Sequence, residues 1–205
     1  MSLYANPVRV IMKEMAAKLC PTTETTFSKN DALGWFKANY PLVKQGTISA
    51  HLIRFSTNNR NRLHFNLRDD GSDDVLFQLT PGQFRLYRPG NDPPAIHTAT
   101  DSIEPISPPA SEGGPQESEF AYERDLRNYL GKNLHLIEPG LQLYYDEDIS
   151  GIEFLAGGRF IDILAVDSEG GFVVIELKVS RGYDRVVGQL LRYMSWIEKY
   201  QAEPM

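Results

Sequence analysis

The 205-residue chain is predicted to fold as two domains, an α+β domain over residues 1–88 and an α/β domain over residues 119–205. Three observations predict this arrangement. Apolar residues recur at helical spacing three times in the first part of the chain, and short β-like segments follow. Seven of the thirteen prolines fall within residues 89–118, which indicates an extended, flexible linker. Two β-branched apolar segments, 157–167 and 172–178, flank turn residues and predict a buried antiparallel hairpin.

The first domain begins with three predicted helices. Asn6 and Pro7 are typical of a helix start, and the apolar spacing continues to residue 19. A capping-box pattern from Ser28 to Asp31 predicts the start of a second helix that ends near Asn39. The third helix is expected over about 45–56. Segments 63–67, 75–79 and 84–87 read as strands, and this order of elements is that of a winged helix-turn-helix domain.

A winged helix lays its third helix in the DNA major groove, so the polar side chains there are candidate DNA contacts. The polar run after the helix would add further contacts. The predicted contacts are Thr47, Ser49, His51, Arg54, Asn58, Asn59, Arg60, Asn61 and Arg62. The segment 27–65 is also similar to helix-turn-helix modules fused to restriction-type nucleases. The alternative is that the polar run is only a loop and the helices form a generic packing module.

Charge supports a polyanion partner for the first part of the chain. The net charge is −6, but residues 1–97 carry 12 basic and 8 acidic residues. The alternative is a chance asymmetry with a solvated acidic face on the remainder. No apolar run approaches the ~20 residues that a membrane span needs, so no membrane partner is expected. Cys20 is the only cysteine, which excludes a disulfide framework and favours the cytoplasm.

Three charged residues stand out within the apolar hairpin segments, Asp162, Glu176 and Lys178. Charge in a buried strand is costly unless it is paired or binds a metal. Strand alternation puts Glu176 and Lys178 on one face, and the hairpin can bring Asp162 beside Glu176. Two carboxylates and an ammonium group suit Mg²⁺ or Mn²⁺ and a phosphate ester.

These residues carry a resemblance to a known superfamily. Asp162, followed after thirteen residues by Glu176-x-Lys178, resembles the signature of the PD-(D/E)xK nucleases, with Ile161 in place of the nominal proline. Over roughly residues 119–197 the chain also resembles the nuclease domain of the NucS/EndoMS endonucleases. The blocks that carry this resemblance are 123–126, 133–141, 158–162, 174–178 and 187–193.

The resemblance implies a restriction-endonuclease-like fold with a central mixed sheet. It implies that Asp162, Glu176 and the carbonyl of Leu177 hold the metal ion. Lys178 would orient or deprotonate the attacking water, or stabilise developing charge. The further site residues that it implies are Glu123 at the metal shell, Gln189 as a hydrogen-bonding group and Arg159 as a phosphate contact.

The expected function is that of a metal-dependent DNA endonuclease of restriction or defence type, acting on double-stranded DNA. Two alternatives stay open: a non-catalytic DNA-binding regulator with a nuclease-like dimerisation domain, and a structure-specific repair nuclease. The family continues with at least one more strand after the helix that carries Gln189. We therefore expect either a truncated chain or a sheet completed by a partner chain, which predicts a homodimer.

Overall fold

The computed structural model describes residues 4–98, 115–178 and 183–202, without the side chains of 115–121 and 183–185. The chain divides into two compact units, the first ending near residue 103 and the second running on to residue 202. Within the described residues, no helix combines the length and the apolar character that a bilayer span requires.

Three helices build the first unit: α1 (Val8–Leu19), α2 (Lys29–Asn39) and α3 (Gln45–Phe55). The predicted capping box at the start of α2 is present, because the Asp31 amide donates to Ser28 Oγ and the Ser28 amide donates to Asp31 Oδ2. The apolar face predicted for α1 is buried against α2 and α3. The core of this unit includes Val8, Ile11, Met12, Met15, Phe36, Ile48, Leu52 and Phe55.

A small antiparallel sheet completes this unit. It consists of β1 (Thr26–Ser28), β2 (Leu76–Thr80) and β3 (Gln83–Leu86) in the order β1-β3-β2. The two later strands lie close to their predicted positions. The segment 63–67 was predicted as a strand, but the chain there forms a 3-10 turn over Arg60–His64 and then continues without a strand. The short β1 had no sequence signal.

Helix α3 is buried on nearly all sides, which corrects the predicted DNA-reading face. Thr47, Ser49, His51 and Arg54 are between 0% and 9% exposed. The segment that follows the helix folds back over it. Arg54 donates to Asp73 Oδ2 at 3.0 Å and to the Asn66 carbonyl at 3.0 Å. The outer polar face of α3 therefore faces the protein interior and not solvent.

The polar run after α3 is also largely structural. Arg62 is fully buried, and its Nη2 lies 2.6 Å from Asp74 Oδ1. The Asn58 side chain bonds both backbone groups of Gln78, at 2.8 and 2.9 Å. Asn59 bonds the Gln78 side chain and accepts from the Asn61 amide. Of the nine predicted DNA contacts, only Arg60 is largely exposed to solvent.

The start of the predicted linker packs against the first unit. Arg85 forms a two-pronged ion pair with Asp92, and Ile96 is 9% exposed. The Ile96 amide also donates to the Thr57 carbonyl at 2.9 Å. The linker prediction was therefore wrong for residues 89–96, and it was wrong for residues 115–118, which are helical. The rest of that prediction, residues 99–114, lies outside the described residues.

The second unit has two long helices and six strands among its described residues. They are α4 (Pro115–Lys132), β4 (Gln142–Leu143), β5 (Tyr145–Asp146), β6 (Ile149–Ser150), β7 (Ile152–Ala156), β8 (Arg159–Val166), β9 (Phe172–Ile175) and α5 (Tyr183–Ile197). Every described strand pair is antiparallel. The described part of this unit is thus α+β, and the mixed sheet predicted for it is not observed there.

Strand β8 is the centre of the larger sheet. One of its edges pairs with β9. The other edge pairs with β7 along residues 159–163 and with β4 at residues 165–166. Gly151 lies where the partner of β8 changes, and its amide donates to the Tyr144 carbonyl while its carbonyl accepts from the Leu164 amide. A Cβ atom at this position would overlap the Leu164 carbonyl oxygen, so only glycine fits. Leu130 and Leu134 pack into one apolar core cluster with Ile163 and Ala165 of β8 and with Leu177.

We expect Asp73→Ala to lower the unfolding free energy by about 3–5 kcal/mol, because it leaves the buried Arg54 guanidinium without its counter-charge. Denaturant unfolding would measure the loss. Asp69→Ala removes an exposed carboxylate of the same segment and is the matched control, with an expected change within about 0.5 kcal/mol. Equal effects of the two substitutions would contradict the structural role of the buried pair.

Candidate active site

The β8–β9 pairing sets the geometry of the candidate site. Ile163 faces Ile175 and Leu164 faces Val174, so the same register puts Asp162 opposite Glu176 just beyond the end of β9. Asp167 closes the intervening turn, since its Oδ1 accepts the amides of Glu169 and Gly171. The Leu177 amide donates to Asp162 Oδ2 at 2.9 Å and fixes this carboxylate.

Lys178 and Glu123 lie beside the two carboxylates. The Lys178 Nζ atom is 3.4 Å from Glu123 Oε2 and 3.9 Å from Glu176 Oε1. Glu123 is on α4, so this helix and the strand hairpin meet at the site. The structure thus brings together four of the sequence-predicted residues, three acids and one lysine, at one end of the sheet.

Helix α5 supplies a hydrogen-bond chain to Glu176. Gln189 Nε2 donates to Glu176 Oε1 and also lies 3.2 Å from the Tyr193 hydroxyl. The Tyr193 hydroxyl in turn donates to the Phe160 carbonyl at 2.8 Å. This chain of hydrogen bonds ties Oε1 of Glu176 to strand β8 through two residues of α5.

Arg127 was not predicted from the sequence. Its Nη1 atom lies 2.7 Å from Glu153 Oε1 and 3.7 Å from Asp162 Oδ1. It follows Glu123 by one helical turn, so both side chains point to the same side of α4. That spacing is the signal that could have revealed it. Arg127 places a positive charge beside Asp162 and so positions this carboxylate.

Arg159 lies at the edge of the site. It begins β8, its side chain is exposed, and it lines a surface pocket together with Tyr193. This position is three residues before Asp162, or about 10 Å along the strand. Arg159 therefore places a cation near the site without contacting its carboxylates among the contacts that the structure gives.

Burial raises the pKa of the two central carboxyl groups, those of Asp162 and Glu176. The pKa of Glu176 rises to about 7, mainly because burial disfavours its charge and secondly because Asp162 lies close. Burial also raises the pKa of Asp162, while the Leu177 amide and the Lys178 ammonium oppose this rise. Glu176 Oε2 is buried and has no hydrogen-bond partner among the described residues. The site therefore has a negative charge that its own side chains do not fully compensate.

The donor set fits a hard divalent cation. Asp162, Glu176 and the Leu177 carbonyl supply only oxygen atoms, and the unpartnered Glu176 Oε2 is available as a ligand. Among the described residues, no group of three His, Cys, Asp or Glu side chains has the arrangement of a closed metal cage. Mg²⁺ usually takes one or two carboxylates and keeps several waters, so the two carboxylates suffice.

Fold and site together define an α+β domain with paired carboxylates and a lysine at one end of an antiparallel sheet. Comparison with known families then shows which proteins this domain resembles. Residues 122–204 match the family described as Endonuclease NucS C-terminal domain. Residues 7–86 match a domain of unknown function, DUF7669.

A curated relative agrees with the family match. Endonuclease NucS of Methanopyrus kandleri is 31% identical over 84 residues, which cover 41% of this chain and 30% of that protein. The chain thus corresponds to less than a third of the relative's length. No solved structure matches the chain significantly. The predicted resemblance of the second unit to NucS endonucleases is confirmed by these matches.

Glu176→Gln should stabilise the metal-free protein above about pH 7, because the raised pKa of Glu176 means that its ionisation opposes folding. The wild-type unfolding free energy should fall as pH rises from the ordinary glutamate pKa of 4.5 through about 7. The gain above pH 7 should be on the order of 1–2 kcal/mol and should vanish below pH 4.5, where both states are protonated.

Denaturant unfolding in EDTA across this pH range measures the effect. Glu169→Gln is the matched control, since Glu169 lies exposed in the hairpin turn. A stability difference between Glu176→Gln and wild type that does not change with pH would refute the buried, repelling carboxyl pair.

Proposed function

We propose that this protein is a metal-dependent DNA endonuclease whose second unit hydrolyses phosphodiester bonds. The observation that carries the proposal is the convergence of Asp162, Glu176 and Lys178 at one end of the β8–β9 hairpin. The match of residues 122–204 to a NucS domain supports it. The requirement for Mg²⁺ or Mn²⁺ rests on the oxygen-only donor set and the unpartnered Glu176 Oε2.

Each side chain has a separate role in the proposed mechanism. Asp162, Glu176 and the Leu177 carbonyl would hold the ion, which would supply positive charge at the phosphate and make water more acidic. The Lys178 ammonium group lies between two carboxylates and can orient the attacking water or stabilise charge that develops on the phosphate. Glu123 holds Lys178 in place by their ion pair and would help to complete the metal shell.

Three further residues position the reacting groups. Gln189 orients Glu176 by its hydrogen bond, and Arg127 does the same for Asp162 through charge. Arg159 binds an adjacent phosphate with its planar guanidinium group. None of these residues needs to exchange a proton.

We propose that the first unit is a winged-helix domain that contacts DNA. The order helix-strand-helix-helix-strand-strand, with the sheet order β1-β3-β2, supports this reading. Three basic residues of this unit form ion pairs with Asp73, Asp74 and Asp92. Each pair neutralises one basic and one acidic residue. Residues 1–97 therefore still carry four more basic than acidic groups. The contacts must come from exposed groups such as Arg60, and not from the buried face of α3.

The predicted homodimer and cytoplasmic location remain predictions. One observation fits a dimer, because no described strand pairs with the outer edge of β9. An unpaired edge is where a strand of a second chain can add.

Asp162→Asn and Lys178→Ala should each lower Mg²⁺-dependent cleavage at least about a hundredfold, because each removes a group that contacts the ion or the reacting phosphate. Cleavage of supercoiled plasmid measures this loss, and EDTA should abolish the wild-type activity. Lys132→Ala and Glu169→Gln change exposed charges of the same unit and should cleave like wild type.

The same assay separates the candidate substrates. Cleavage of unmodified plasmid, but not of plasmid with modified bases, or the reverse, indicates a restriction or defence enzyme. Cleavage confined to mismatched or branched duplexes indicates a structure-specific repair nuclease. Metal-independent DNA binding without cleavage of any substrate would refute the nuclease and leave a DNA-binding regulator.

Arg60→Gln should weaken DNA binding by the first unit, since it removes one exposed cation from the proposed interface. Affinity measured with the inactive Asp162→Asn protein in EDTA should fall about fivefold, and the slope of log affinity against log salt should decrease by about one. Lys18→Gln, at the exposed end of α1, is the matched control. Equal losses for the two variants would show that Arg60 has no special place in the interface.

A further inference from the structure

A surface pocket lies between the β7–β8 turn and the C-terminal part of α5 with the helical turn Glu198–Ala202 that follows it. It has a volume of about 340 Å³, within the range of about 300–1,000 Å³ usual for small-molecule sites. Its lining residues are Ala156, Gly157, Arg159, Arg192, Tyr193, Ser195, Trp196, Lys199 and Tyr200. The set combines three cations with three aromatic rings.

The charge of this pocket is opposite to that of its surroundings. Residues 119–205 carry 15 acidic and 9 basic residues. Three of the nine basic residues line the pocket, and none of the acidic residues does. Such a local concentration of positive charge favours an anion, although the unit as a whole is negative.

The aromatic side of the pocket is held in place. The centre of the Trp196 ring lies 5.4 Å from that of the Tyr200 ring and 6.4 Å from that of the Phe154 ring. Lys199 Nζ lies 5.1 Å from the centre of the Tyr200 ring. Gly157 has a φ of 60°, and a Cβ atom there would lie 3.1 Å from Trp196 Cδ1. Glycine thus both permits the turn and leaves room for the indole beside it.

The pocket is connected to the candidate active site. Tyr193 lines it, and the Tyr193 hydroxyl donates to Phe160 and lies within hydrogen-bond distance of Gln189, which bonds Glu176. Arg159 lines it as well, about 10 Å along β8 from Asp162.

We propose that this pocket binds a nucleotide with an unpaired base, which stacks on Trp196 and Tyr200 while Arg192 and Lys199 hold its phosphate. Aromatic rings beside cations are the groups with which proteins bind unpaired nucleotides. A base inside a duplex is stacked between its neighbours, so only an unpaired or extruded base can enter. The inference rests on the proposed function, in that the cleaved DNA would present this nucleotide next to the catalytic carboxylates.

The fluorescence of Trp196 reports binding directly. Trp35 is the only other tryptophan, so Trp35→Phe in an Asp162→Asn background leaves Trp196 as the sole indole. In EDTA, a duplex with one unpaired nucleotide should quench Trp196 at concentrations at which the fully paired duplex does not. Deoxyadenosine monophosphate tests whether the pocket instead binds a free nucleotide, which has the same base and phosphate groups. Its saturable quenching, without an effect of the DNA, would assign the pocket to a free nucleotide.

Lys199→Gln and Arg192→Gln should each weaken the quenching response roughly tenfold, and Lys132→Gln, outside the pocket, should not change it. Quenching by none of the probes, or equal quenching in Lys199→Gln and Lys132→Gln, would overturn the proposal. The measurement needs neither metal nor cleavage. An active nuclease without this response refutes only the pocket, and a response without plasmid cleavage refutes only the nuclease.

Discussion

The pairing of β8 with β9 is the constraint on which the candidate site depends. Its register sets Asp162 opposite Glu176 in a place where burial raises the pKa of both carboxyl groups. Two like charges so close to each other oppose folding unless neighbours compensate them. The Leu177 amide, Arg127, Lys178 and Gln189 do so in part, and Glu176 Oε2 is left without a partner. A bound cation would compensate the remaining negative charge of this pair.

The first unit uses its polar residues in a different way. Arg54 and Arg62 are buried against Asp73 and Asp74, which come from the segment that folds over α3. Buried ion pairs of this kind contribute little net stability, but breaking one is costly, so they fix a single arrangement of that segment. The third helix is thereby part of the core. Any DNA contact of this unit has to come from the exposed side chains around that core.

Local patterns predicted the local features of this chain. The capping box of α2 and the turn at Asp167 were readable because the residues involved are close in sequence. The burial of Arg54 was not readable, since its partner Asp73 is 19 residues away and an arginine on a helix is usually exposed. The packing of residues 89–96 was missed for a related reason. Their proline content indicates a linker, whereas the Arg85–Asp92 ion pair and the burial of Ile96 hold them on the domain.

The distribution of charge limits how such a protein can bind DNA. The second unit has an excess of acidic residues, so long-range attraction of a polyanion cannot come from its net charge. Four of its nine cations lie in two places, Lys178 between the carboxylates and the group Arg159, Arg192 and Lys199 around the pocket. Short-range contacts at these places can position a strand only after it has arrived. The positive first unit is then the part that supplies attraction at a distance, and the salt dependence of binding should follow from it. Under the proposed function, the charge distribution favours capture by the first unit and chemistry in the second.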